Sequence, residues 1–348
     1  MQTPASFRAA IVGISGPELR AEEAALFAAL PPAGVILFAR NIVSPAQLAT
    51  LGAALRAALP PGALLMVAQE GGRVARLRPP HWRAHPPAAV AGALFARDAE
   101  AGRRLAWLNG ALIGLDAAAA GFDVVAAPVL DLGLPGMSDV IGDRAFSAAP
   151  ETVAILGRAM AEGLLAGGVL PVAKHAPGHG RARVDSHRDL PVVTQSDLAD
   201  DLRPFTANAD LPWMMTAHIR YLALDPDHPA TLSRRVLGEV VRGRIGFRGV
   251  LVSDDLAMGA LRGAPADRAA AALAAGCDLA LYCPGDAATA EVLAACPPPG
   301  PEAAARLDAG RALLAARRHK LDAAPLAAAP LAAERAALLE GAPGLAVP

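Results

Sequence analysis

Short apolar runs recur along the chain at 9–14, 34–38, 64–68, 124–130, 170–174, 213–218, 249–253 and 279–283. They are apolar at successive rather than alternate positions, the pattern of strands buried on both faces. Between these runs, or just after the last, lie longer Ala/Leu/Arg segments of helical character at 19–30, 45–59, 99–120, 151–166, 234–244 and 286–295. This alternation predicts an α/β protein with one domain, a closed (β/α)8 TIM-like barrel over 1–320. The Ala-, Leu-, Arg- and Pro-rich end suggests a terminal helix and then a weakly structured C-terminal tail at 321–348. An open doubly wound sheet is the competing topology. No Gly-x-Gly-x-x-Gly follows the first run, so nothing points to a dinucleotide site.

In a barrel, working residues gather where strands end. Here the third run leads into Gln69-Glu70-Gly71-Gly72-Arg73, the fifth into Lys174-His175-Ala176-Pro177-Gly178-His179-Gly180, the sixth reaches His218, and the seventh leads into Asp254-Asp255. Taken singly, Lys174 and His175 read equally well as strand caps, and Asp254 as a helix cap. Four polar clusters at equivalent strand ends instead predict one shared pocket.

The segment 177–191 is unusually polar for a link between a strand and its helix, and its glycines suit a mobile loop. Asp185 and His187 stand two apart in it, a spacing that lets a carboxylate orient an imidazole for acid/base work. A metal site built on His175, His179, His187 and Asp185 is the rival reading. Its ligands match no compact metal spacing and would straddle a glycine loop, so no metal or cofactor is expected.

Composition narrows the setting. The 348 residues are 54% hydrophobic, ample for a large core, and the formal net charge of -1 carries no footprint for nucleic acid or an anionic membrane. The N-terminal stretch 1–7 is short and polar, and 9–14 is too brief for a leader core or a membrane span, which favours the cytoplasm; a monomer is the expected state. The three cysteines, Cys277, Cys283 and Cys296, cannot all pair and read as reduced and structural.

Seven segments, in order, carry a family resemblance: Gly-Val-Ile-Leu-Phe-Ala-Arg-Asn at 34–41, Gln-Glu-Gly-Gly-Arg-Val at 69–74, Ala-Pro-Val-Leu-Asp-Leu at 127–132, Ile-Gly-Asp-Arg-Ala-Phe at 141–146, Lys-His-Ala-Pro-Gly-His-Gly at 174–180, Asp-Ser-His at 185–187 and Ser-Asp-Asp-Leu-Ala-Met at 253–258. The chain resembles glycoside hydrolase family 3, and within it the single-domain bacterial β-N-acetylglucosaminidases of cell-wall recycling. The resemblance implies that Asp254 is the nucleophile and His187 the acid/base, tuned by Asp185. It also implies that Arg76, Arg144, Lys174 and His175 hold the sugar, although Arg76 and Arg144 are also placed to pair with local carboxylates. The residues alone do not choose between Asp254 and Asp255. The implied substrate is a peptidoglycan fragment carrying terminal N-acetylglucosamine, cleaved with retention. A histidine acid/base repels anions less than a carboxylate, which leaves phosphate open as an acceptor beside water.

One position departs from the family pattern. The residue before Gln-Glu-Gly-Gly-Arg is typically an aspartate that accepts hydrogen bonds from sugar hydroxyls, and here it is Ala68. Losing a charged hydrogen bond of about 1.5–3 kcal/mol weakens binding by roughly 10- to 100-fold or more. The chain is therefore expected to be a slowed enzyme, with a catalytically impaired sugar-binding or regulatory paralogue as the alternative.

Overall fold

The computed structural model describes residues 7–341. The first six residues, where no leader was read, and the last seven of the expected tail lie outside them. In chain order the elements are β1 (Arg8–Gly13), α1 (Ala21–Ala29), β2 (Pro32–Leu37), α2 (Pro45–Ala58), β3 (Leu64–Val67), α3 (Ala88–Phe95), α4 (Ala99–Ala119), β4 (Val124–Val125), α5 (Pro150–Ala166), β5 (Leu170–Ala176) and β6 (Val192–Val193). There follow α6 (Ala199–Thr206), β7 (Trp213–Thr216), β8 (Arg220–Tyr221), a π-helix (Val236–Arg244), β9 (Val250–Asp255), α7 (Pro265–Ala275), β10 (Leu279–Tyr282), α8 (Ala288–Ala295), α9 (Pro301–Ala323) and α10 (Ala328–Glu340).

The eight expected strands close into a parallel barrel in the order β1-β2-β3-β4-β5-β7-β9-β10, with β10 pairing back to β1. Side chains alternate between the faces of each strand. Ile11, Met66, Val172, Met215, Val252 and Leu281 therefore fill the barrel, while Val12, Val67, Ala173, Met214, Leu251 and Ala280 pack outward under the helices. Both sets are buried, which is why the runs are continuously apolar.

Helix α9 adds Leu307 and Leu314 to the inner cluster, and its Gly310 lies against Trp213 and Leu170 at the strand starts. The barrel floor is thus closed, and the opposite mouth is where the chemistry gathers. A separate pair, β6 and β8, lies beside that mouth with Val192 and Val193 opposite Arg220 and Tyr221.

The C-terminal end differs from expectation. Helix α9 runs unbroken through residue 320, where the domain boundary was placed, and α10 replaces the weakly structured tail up to Glu340. Alanine and leucine give α10 high helix propensity, but its docking is specific. Leu338 and Leu339 pack on the outer core. Arg104 on α4 grips Glu334 with bonds of 2.6 and 2.7 Å, and Arg335 donates to the Ala84 carbonyl at 3.0 Å. Among the described residues, no helix is long and apolar enough to cross a membrane.

Candidate active site

The strand ends converge on a cavity of about 220 Å³. Its walls include every residue singled out for the sugar, Ala68, Arg76, Arg144, Lys174 and His175, together with Asp254 and His187. Asp185 stands one step back, bonded to the His187 ring.

The cations are organised by a carboxylate that sequence reasoning quoted but gave no role. Glu70 sits in a tight turn after β3, closed by its own N–H on the Val74 carbonyl at 2.8 Å. Its buried side chain binds Arg144 Nε at 2.7 Å, Arg144 Nη2 at 2.9 Å and Lys174 Nζ at 2.6 Å. Burial opposes the Glu70 charge, but the Arg144 and Lys174 cations outweigh it and hold the carboxyl far below the usual range. Of the two alternatives open for Arg144, pairing with a local carboxylate is realised, at the cavity wall itself.

Arg144 is carried by a loop that Arg73 shapes. The Arg73 Nη2 donates to the carbonyls of Asp139, Val140 and Ile141 at 2.6–3.0 Å, and its Nε to Asp143 at 3.0 Å. Arg76 is different: its buried Nε has no hydrogen-bond partner among the described residues, and its guanidinium lies over the Phe38 ring at 5.6 Å. It lines the same cavity as Ala68.

Asp131, fully buried after β4, is the second acid that went unassigned. Its carboxylate accepts the backbone N–H groups of His175 and His179 at 3.1 and 2.6 Å, and its other oxygen binds His175 Nδ1 at 2.7 Å. This orients the His175 ring at the cavity. Both acids stand in motifs visible in the sequence at strand ends, but nothing local there names Arg144, Lys174 or His175 as their partners.

The two adjacent aspartates of β9 have different surroundings. The Asp255 carboxylate accepts the backbone N–H groups of Ala257 and Cys283, both at 3.0 Å, and burial raises its pKa. Among the described residues, Asp254 accepts only the Asp255 N–H, at 2.8 Å. Burial disfavours its charge, yet the His175 and His218 imidazoles, the Asp255 N–H and Lys174 overcome that and set its pKa below the usual value. His218 supports this strand from beneath, donating Nε2–H to the Asp255 carbonyl at 3.0 Å.

The 177–191 segment lies docked over the mouth. His187 Nδ1 is 2.8 Å from Asp185 Oδ1, the same oxygen that accepts the His187 backbone N–H at 2.9 Å. The segment is anchored by Tyr221 Oη on the Gly178 carbonyl at 2.6 Å and by the Arg181–Asp201 pair at 2.7 Å. Gly180, one of the glycines of this loop, packs so tightly that a Cβ would come within 2.4 Å of the Leu132 carbonyl.

The imidazoles of the rival metal reading face separate partners: Asp131 for His175, Ser186 for His179 and Asp185 for His187. No group of three or more potential ligands among the described residues is arranged to hold a metal ion. The three cysteines are buried and unpaired.

A closed barrel with an ionised carboxylate, a cation cluster and a carboxylate–histidine pair around its C-terminal mouth defines a barrel enzyme of the polar-substrate kind. The glycosyl hydrolase family 3 N-terminal domain matches residues 8–311, so the chain belongs to that family and is a glycoside hydrolase. A β-hexosaminidase of Alkalilimnicola ehrlichii is 43% identical over 304 residues, covering 85% of this chain and 86% of its own. One from Bordetella avium is 40% identical over 280 residues, covering 78% and 79%. Among solved structures, NagZ of Neisseria gonorrhoeae in complex with N-trifluoroacetyl-D-glucosamine superposes with a TM-score of 0.83 at 31% identity, covering 96% of this chain and 98% of that one.

Proposed function

We propose that the protein is a retaining exo-β-N-acetylglucosaminidase that removes terminal N-acetylglucosamine from peptidoglycan fragments, notably those ending in 1,6-anhydro-N-acetylmuramic acid, in the cytoplasm. The observation that carries this reading is that an ionised Asp254 and the Asp185-bound His187 border one small cavity. The β-hexosaminidase names of the relatives, the Asp-Ser-His segment and the unpaired cysteines support it. The cavity is below the roughly 300–1,000 Å³ of typical ligand pockets, which suits one terminal sugar rather than a polymer chain.

In this mechanism Asp254 attacks the anomeric carbon while protonated His187 gives its Nε2 proton to the departing oxygen. The sugar is then an ester of Asp254. Neutral His187 next takes a proton from the incoming water, whose oxygen attacks the same carbon and expels Asp254, so configuration is retained after two inversions. Asp185 keeps Nδ1 protonated and Nε2 available for both transfers. Arg144, Lys174 and His175, pre-placed by Glu70 and Asp131, fix the ring hydroxyls.

The test is a panel of aryl β-glycosides with a slow fluoro-sugar. Turnover is expected to favour the N-acetylglucosaminide over the glucoside and xyloside, with an adduct on the peptide containing Asp254. An adduct elsewhere, or no adduct with no turnover, overturns the reading. Ala68 supplies a further prediction. Ala68→Asp gives the sugar hydroxyls an acceptor at the cavity wall, so kcat/KM on the aryl N-acetylglucosaminide is expected to rise by about 10- to 100-fold. No gain refutes the idea that the absent carboxylate limits this enzyme.

A further inference from the structure

The turn leaving the Asp254 strand makes backbone contacts with the loop that carries His187. The Gly259 N–H donates to the His187 carbonyl and the Ala260 N–H to the Ser186 carbonyl, each at 3.1 Å. A Cβ on Gly259 would stand 2.8 Å from the His187 oxygen and 2.9 Å from the Arg188 oxygen, closer than side chains tolerate. Those loop atoms are its nearest obstacles, and Gly259 has no left-handed φ, so its own backbone accommodates alanine. The three heavy atoms nearest to an added methyl all belong to the docked loop.

The same loop has a second seat. The buried Ser186 hydroxyl lies 3.2 Å from His179 Nε2, and His179 is fixed through its backbone N–H to Asp131. One contact therefore reaches the turn after the strand of Asp254, and the other closes the loop on its own start, which Asp131 holds beside the strand of Lys174 and His175. The Gly259 contact falls on the carbonyl of His187 itself.

We infer that Gly259 and His179 are positioning residues for the acid/base. They lock the His187 loop in register with the nucleophile strand, so that proton delivery depends on a glycine that touches neither sugar nor proton. This rests on the assignment of His187 proposed above.

The experiment measures kcat/KM on aryl N-acetyl-β-glucosaminides whose leaving groups run from 2,4-dinitrophenol, which needs little protonation, to 4-methoxyphenol, which needs much. General acid catalysis contributes about 10²–10⁴-fold, so His187→Ala is expected to lose about that much on the methoxyphenyl substrate and far less on the dinitrophenyl one. Gly259→Ala is expected to reproduce the pattern at about 10-fold or more on the methoxyphenyl substrate, with dinitrophenyl turnover held within about 3-fold. Ser186→Ala, which frees the loop from His179 without crowding it, is expected to move in the same direction and serves if Gly259→Ala does not fold. An equal loss across the series in both variants, or no loss in either, while His187→Ala remains selective, overturns the inference alone. A non-selective His187→Ala overturns the assignment beneath it.

Discussion

Asp254→Asn is expected to lower kcat/KM on an aryl N-acetyl-β-glucosaminide by on the order of 10⁴-fold or more, while Asp255→Asn stays within about tenfold of the parent. An asparagine at 254 is nearly isosteric but supplies no anion to form the glycosyl ester. Asp255 has other work: its carboxylate ties the Ala257 and Cys283 backbones together at the mouth of β9 and β10. An amide oxygen accepts those bonds more weakly, so Asp255→Asn should lose roughly 1 kcal/mol and a few degrees of Tm. The acid side of the profile follows from the same surroundings. Because the Asp254 pKa is lowered, its charged form persists as pH falls through the ordinary aspartate value near 4, and loss of the nucleophile's charge begins only below that. Greater damage from Asp255→Asn than from Asp254→Asn would reverse the assignment.

The choice between these aspartates shows what the chain disclosed and what it withheld. All eight barrel strands were legible because parallel strands buried on both faces must be continuously apolar. The run at 124–130 is only partly regular: the strand proper ends at Val125, and beyond it the chain stays tied to its neighbours by single backbone bonds such as Ala126 N–H to the Val67 carbonyl and Lys174 N–H to the Pro128 carbonyl, with Pro128 itself lacking an N–H to give. Helices α3, α6 and α7 went unread. Pro204 interrupts the pattern of α6, and α7 is mostly alanine, which marks no face. The segment at 234–244 was recognised as helical, but its π-helical form over Val236–Arg244 depends on packing and was not. Asp254, His187 and the cavity cations were named from motifs, whereas Glu70 and Asp131 were missed as site residues because their importance lies in partners distant along the chain, 74 positions away for Arg144 and 44 for His175. Which carboxylate meets which cation is decided by barrel closure, and no local pattern encodes it.

Glu70 carries the largest expected effect on stability. Glu70→Gln leaves Arg144 and Lys174 buried with their shared anion gone and points an amide at two cations. Removing one partner of a buried ion pair destabilises by about 3–5 kcal/mol, which corresponds to a Tm loss on the order of 10 °C for a chain of this kind. The pH dependence distinguishes this from a packing defect. Folding holds the Glu70 pKa well below its unfolded value of about 4.3, so the unfolded chain takes up a proton first as the medium is acidified. Its stabilising contribution is therefore fully present above that value and declines as pH falls from there toward the lower folded pKa. The difference in Tm between parent and Glu70→Gln should be constant from pH 7 to about pH 5 and shrink below about pH 4. A gap that persists undiminished into strong acid, or no gap at neutral pH, removes the electrostatic explanation. The same substitution should raise KM by releasing Arg144 and Lys174 from the cavity wall, since two cations held by one buried carboxylate meet the sugar hydroxyls already in place, and unpaired ones must be ordered by the substrate itself.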